Sequence, residues 1–187
     1  MALPPGVAEK WGVIAMRRIG LIVALGALLG MLAGAVTASP ALAAGRGDGW
    51  QFISVPPTFT LDPVFCGFEI QGTQLANKAF FKELKTADGS AAFLSTGTSK
   101  ISLTANGKTI TANISGPVTN IFFPDGSVTE LLRGLNLGIL APADAARFGL
   151  PGAFISAGAL TVTADATGLT SVSLDGHVLV DVCAALS

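Results

Sequence analysis

Histidine and cysteine are scarce in this 187-residue chain, which has one of the first, His177, and two of the second, Cys66 and Cys183. A transition-metal centre needs three or four such ligands gathered together, so no metal site and no cofactor is expected. Tyrosine is missing while phenylalanine occurs eleven times, which provides large apolar surfaces without hydroxyl handles. Rings such as Phe80, Phe93, Phe122 and Phe154 are expected to fill the core. No phosphate-cradling glycine loop, no serine-hydrolase elbow and no nucleophile tied to a base by a motif can be found. From Ala44 onward eight Lys and Arg stand against eleven Asp and Glu, a net charge of −3. That sign is wrong for displacing counterions from nucleic acid.

What is present begins with an export signal. The pair Arg17-Arg18 precedes an uncharged apolar run, Ile19 to Val36, and then Thr37-Ala38-Ser39-Pro40-Ala41-Leu42-Ala43. A basic start, an apolar stretch and a small-residue Ala-x-Ala triplet is the order of a cleavable signal peptide. The cut is placed after Ala43, with Ala44 as the alternative. An uncleaved anchor is the rival, because the run approaches the roughly 20 apolar residues that span a bilayer. Four glycines within the run and a single nearby cation, Arg46, argue against it. No cysteine lies near the cut to carry a lipid. The flanks of Arg17-Arg18 fit twin-arginine export poorly, so general secretion is expected, and Met16 is an alternative start to Met1. Residues 1–43 therefore read as signal peptide, 44–56 as a flexible mature start rich in Ala and Gly, and 57–187 as a single β domain, a size that supports one core.

Beyond Trp50, apolar or alternating runs are broken by turn signals every eight to twelve residues, the spacing of all-β folds. The clearest unit is Ile101–Ala105, Asn106-Gly107, Lys108–Ile114. A two-residue turn at Asn106-Gly107 sets Leu103 opposite Ile110, Ile101 opposite Ala112, and Ser102 and Thr104 opposite Thr111 and Thr109, so apolar and polar faces agree. The pairs Asp88-Gly89, Asp125-Gly126 and Asp175-Gly176 predict further hairpins, with Leu84 facing Phe93, Phe123 facing Val128, and Val172 facing Leu179. Other strands are expected at 59–61, 66–75, 135–140, 154–156 and 160–164. Serial hairpins point to an antiparallel barrel, which removes exposed edges; a two-sheet β-sandwich is the alternative. Between Ala141 and Pro151, an early proline, an acid in the first turn, Arg147 near the end and Gly149 beyond it predict one short helix near 142–148.

His177 shares a strand face with Asp181 by alternation, yet no motif links the pair to a nucleophile, and a solvated turn histidine is the expectation. Asp181 is expected to face solvent opposite Thr170 while the neighbouring valines face inward. An enzyme would require Asp181 or Glu130 to be buried in a cleft. Asn113-Ile114-Ser115 matches a glycosylation triplet too short to carry weight. Cys66 and Cys183 are expected to form a disulfide, since an exported chain meets an oxidising compartment. Alternation places Cys66 with Phe68 and Ile70 but Cys183 with Asp181, so a bulge or strand end is required.

The run Cys66-Gly67-Phe68, Asn113-Ile114-Ser115-Gly116-Pro117, Pro124-Asp125-Gly126-Ser127 and Val180-Asp181-Val182-Cys183 resembles a group of uncharacterised secreted actinomycete proteins. The resemblance implies export and a similar β domain and brings no catalytic residue with it. The sequence thus leads to a secreted, non-enzymatic β domain that acts by binding or within the cell envelope. The first alternative is a barrel carrier of a small apolar ligand, with Gly134, Asn136 and Gly138 leaving a strand face bare and the 142–148 helix as its lid. The second is an enzyme with a buried carboxylate. N-terminal sequencing of material released to the medium is expected to read from Ala44; a start at residue 1 or 16 in a membrane fraction would establish the anchor instead.

Overall fold

The computed structural model describes residues 48–84 and 86–187; the leader, with its cleavage site, lies outside them. Nine antiparallel strands form one sheet: β1 (Gln51–Phe52), β2 (Thr58–Leu61), β3 (Ile70–Leu84), β4 (Ala91–Ala105), β5 (Lys108–Asn113), β6 (Val118–Phe122), β7 (Val128–Ile139), β8 (Ala153–Asp165) and β9 (Gly168–Asp181). The order is β1-β3-β4-β6-β7-β8-β9, with β2 on β3 and β5 on β4. The sheet is not closed: among the described residues β9 pairs with β8 alone. Residues 51–52, within the stretch expected to be flexible, instead pair with Phe80 and Phe81. Lys82 over the Trp50 ring and Asn77 Nδ2 donating to the Ile53 carbonyl (2.7 Å) hold that segment down.

Turn chemistry decides the registers. Asn106 and Gly107 both take positive φ, 51° and 76°, which only a primed two-residue turn uses, and every predicted pair of that hairpin is observed. At Asp125-Gly126 the pairing slips by one, to Phe122 opposite Val128. There a Gly126 N–H to Phe123 carbonyl turn is followed by Gly126 at φ 88°, so the loop has three residues, not two. A similar slip puts Leu84 opposite Ala92. Asp175-Gly176 is no turn at all: β9 runs through it, and Val172 faces Val162. The hairpin is made by Asp165-Ala166-Thr167 instead, where Asp165 Oδ1 accepts from the N–H and hydroxyl of Thr167 at 2.7 and 2.6 Å. The two short strands expected at 154–156 and 160–164 are accordingly one.

Strands of 12 to 15 residues reach roughly 40 to 50 Å, too long for a single core, and the sheet builds two. One joins Leu61, Ile70, Ile101 and Leu103 to Leu137, Ile139, Ala153 and Ile155, so the β2–β5 end lies against the far end of β7 and β8. The other joins Leu132, Phe154, Leu160 and Val162 to Leu140 and Ala145. Consecutive residues Phe154 and Ile155 thus serve different cores, and Asn136 to Leu140 are all buried. The change from one covered face to two coincides with Gly134, Gly158 and Gly176, which lie opposite one another on β7, β8 and β9. Gly158 and Gly176 have φ of 117° and 153°, and a Cβ on either would overlap the carbonyl oxygen of Asp175 or Ala157 on the next strand.

Helix α1 (Pro142–Phe148) forms where predicted, with Pro at its first turn, Asp144 and Arg147 at its ends, and Gly149 at φ 66° behind it. Ala145, Phe148 and Leu150 seat it on the second core. A five-residue helix, α2 (Val182–Leu186), follows β9 and is capped by Asp181, whose Oδ1 accepts from Ala184 N at 3.0 Å. Cys183 in α2 is bonded to Cys66 in the turn before β3, with Cα atoms 5.1 Å apart. Neither cysteine lies in a strand, which removes the mismatch of faces that alternation implied. Across a separation of 117 residues, the chain-entropy account gives this bond about 5 kcal/mol. Asn106 Nδ2 donates to the Leu186 carbonyl at 2.8 Å, fastening α2 to the β4–β5 turn as well.

Replacing Gly158 by Ala forces both an unfavourable φ and a backbone overlap, and should cost on the order of 3 kcal/mol. Guanidinium unfolding reads this as a lower midpoint; an unchanged midpoint would show that the row tolerates side chains.

Candidate functional site

Three places can be asked for chemistry: a cavity, a buried carboxylate and a half-covered sheet face. The cavity, of about 60 Å³, lies between Ile53 and Val55, the middle of β3 and β4, and Val118, Leu132, Asn136 and Leu137. No residue of α1 lines it, so the helix is not its lid. Most polar groups on its wall are already engaged: Asn77 Nδ2 with the Ile53 carbonyl, Asn77 Oδ1 with Ala79 N (3.1 Å), and Asn136 Nδ2 with the Gly134 carbonyl (3.3 Å). A water needs roughly 10–15 Å³ of such space and a drug-sized ligand several hundred, so the cavity suits a few waters. The strand face expected to stand bare at Gly138 is filled, because the Phe154 ring lies where its Cβ would be.

The aromatic rings are dispersed. Phe154 is fully buried, Phe80 meets Phe52 edge-on at 5.7 Å, and Phe93 meets Phe122 edge-on at 6.0 Å. Phe122 is 45% exposed, so these rings do not interlock as one core.

Of the two carboxylates weighed from sequence, Asp181 is exposed and occupied as the cap of α2. It sits opposite Phe154, not Thr170. His177 is exposed within β9, opposite Ala157, rather than in a turn. Glu130 behaves differently. It is 6% exposed on β7, between Asn120 of β6 and Val162 of β8, and its Oε1 has no hydrogen-bond partner. Burial without a compensating charge pushes its pKa from 4.5 up to about 7. It does not line the cavity. Among the described residues no group of three or more His, Cys, Asp or Glu is placed to hold a metal. The exposed Asp88 and Asp125 and the half-buried Asp165 are held below the usual carboxylate range by the hydroxyl and N–H of Ser90, Ser127 and Thr167, each two residues on.

The half-covered face becomes visible once the register is known, because residues directly opposite share a face. One row runs Leu84, Ala92, Ile121, Thr129, Thr163, Ser171, and the next Lys82, Leu94, Thr119, Leu131, Thr161, Ser173. Leu84, Leu94, Ile121 and Leu131 are half-buried and belong to neither core, while Ala92 between them is buried. Thr129 and Thr163 share a hydrogen bond at 3.3 Å. The only charge in these rows is Lys82, whose Nζ lies 4.9 Å from the centre of the Trp50 ring. The surface is broad, aliphatic and hydroxyl-bearing, and sequence reasoning missed it because it had divided β8 in two.

Glu130 makes stability depend on pH in a definite direction. A carboxyl whose folded pKa lies above its unfolded value stabilises fully below about 4.5, and that contribution is lost as pH rises through about 7. The loss is about 3 kcal/mol. Glu130→Gln should flatten this dependence and be the more stable protein above pH 8, as measured by denaturant unfolding at a series of pH values; a variant with the parent's pH profile would show that Glu130 ionises freely. Comparison with known proteins gives no match: no family model, no curated protein and no solved structure aligns with the chain.

Proposed function

We propose that this chain is a secreted, non-enzymatic β domain that binds an uncharged component of the cell envelope through the face of β3, β4, β6, β7, β8 and β9. The observation that carries the reading is the pair of rows from Leu84 to Ser171 and from Lys82 to Ser173, where aliphatic side chains outside both cores stand beside threonine and serine hydroxyls. Apolar side chains left half-covered outside a core are one mark of interaction sites, and hydroxyls with almost no charge favour a neutral partner over a polyanion. The disulfide supports an oxidising destination, and no helix among the described residues is long and apolar enough to cross a membrane. The carrier alternative has less support: it would need a closed sheet and a far larger interior than the cavity beside Asn136. The enzyme alternative would need Glu130 to meet a substrate in a cleft.

Cosedimentation of the purified protein with isolated envelope material, before and after extraction of its lipids, tests the reading. Binding should survive high salt and fall at least about tenfold in Leu131→Glu or Thr161→Lys, the scale of one lost apolar contact or buried charge. Binding that salt abolishes, or that both variants retain, would remove this face from consideration, and saturable uptake of a fatty acid or similar probe would favour the carrier.

A further inference from the structure

β9 is the last strand of an open sheet, and among the described residues its outer edge is engaged only at its ends. At the start, the Arg147 guanidinium donates to the Leu169 and Thr170 carbonyls at 2.9 and 3.4 Å. At the finish, Asp181 caps α2. Between them the strand carries no lysine, arginine or proline, the residues that commonly protect an edge from pairing; register shifts at its two ends, opposite Thr163/Ala164 and Ile155/Ser156, bound the regular stretch. The inward side chains Val172, Leu174 and Val178 pack on the second core yet remain only half-buried, as expected where a neighbouring strand is missing.

We propose that this edge pairs antiparallel with β9 of a second copy, about a two-fold axis through Gly176. Opposed residues in an antiparallel pair share a face, so like faces meet only if the axis passes through a residue. An axis at Asp175 opposes two carboxylates, and one at His177 opposes two imidazoles. An axis at Leu174 leaves both charged residues facing serines. At Gly176 the pairing sets Asp175 against His177 of the second copy, twice over by symmetry, and Leu174 against Val178 of the second copy. A carboxylate accepts from an imidazole N–H in either protonation state of the histidine. Two glycines meet at the axis, where the backbones approach without side chains between them. The inference is independent of what the hydroxyl-bearing face binds.

Sedimentation equilibrium of the protein in the form its host accumulates, with Cys66–Cys183 oxidised, should show a monomer–dimer equilibrium. His177→Asp opposes like charges at two points and should weaken the dimer at least about tenfold, while the exchanged pair Asp175→His with His177→Asp should restore it. In the unaltered protein, the amides from Ser173 to Leu179 should exchange more slowly as concentration rises, a readout that needs no variant. A monomer at every concentration, a dimer indifferent to His177→Asp, or a dimer whose β9 amides remain unprotected would each overturn the proposal.

Discussion

Three adjacent strands cross one line at which no side chain fits, and most of the architecture follows from that line. At Gly134, Gly158 and Gly176 the strands adopt positive φ, and the neighbouring backbones come too close for a Cβ. On one side β7 alternates between buried and half-buried positions from Thr129 to Leu132; on the other, Asn136 to Leu140 are buried without a break. A single sheet thereby supplies a layer with one half-covered face and, further along the same strands, a layer enclosed on both. The two cores are what strands of this length require, since burial of apolar area drives assembly and one helix of seven residues cannot cover such a sheet.

The open sheet also explains why its ends need other fastenings. Closure into a barrel would have joined the β1–β3 side to β9 by hydrogen bonds. Here that connection is made by α2: Cys183 to Cys66, Leu186 and Val182 within the first core, and Asn106 to the Leu186 carbonyl. The last helix therefore replaces a ladder, and it does so beside the turn at Asn106-Gly107, the most regular hairpin of the chain.

What could be read in advance depended on whether local chemistry was sufficient. The Asn106-Gly107 hairpin and α1 were legible because each is specified by residues within a few positions of one another. Asp88-Gly89 and Asp125-Gly126 do make turns, with the register one residue off, whereas Asp175-Gly176 misled because an Asp-Gly pair alone does not suffice. Asp88, Asp125 and Asp165 each have Ser or Thr two residues on, whose hydroxyl and N–H the carboxylate accepts. Asp175 has His177 in that place, and the strand continues. Asp-x-Ser/Thr was thus the better signal, present in the sequence and unread. The burial of Glu130 and the hydroxyl-bearing rows had no local signature at all. They depend on which strands stand on either side, as does the filling of Gly138 by Phe154. Asp181 is exposed as expected, but not by alternation: a register shift opposite Ile155/Ser156 sends Val178 to the second core and Val180 to the first, and sets Asp181 opposite Phe154.

The covalent link has a consequence for how the protein is made. Cys66 precedes more than nine-tenths of the strand residues and Cys183 follows all of them, so the bond cannot close until every hairpin has been synthesised. The hairpins themselves pair neighbours in sequence, β3 with β4, β6 with β7, β7 with β8 and β8 with β9, and can form as the chain emerges. With only two cysteines there is one intramolecular pairing and nothing to reshuffle. Oxidation then acts as a final seal on a sheet already assembled, and the maturing chain needs an oxidant but no isomerase.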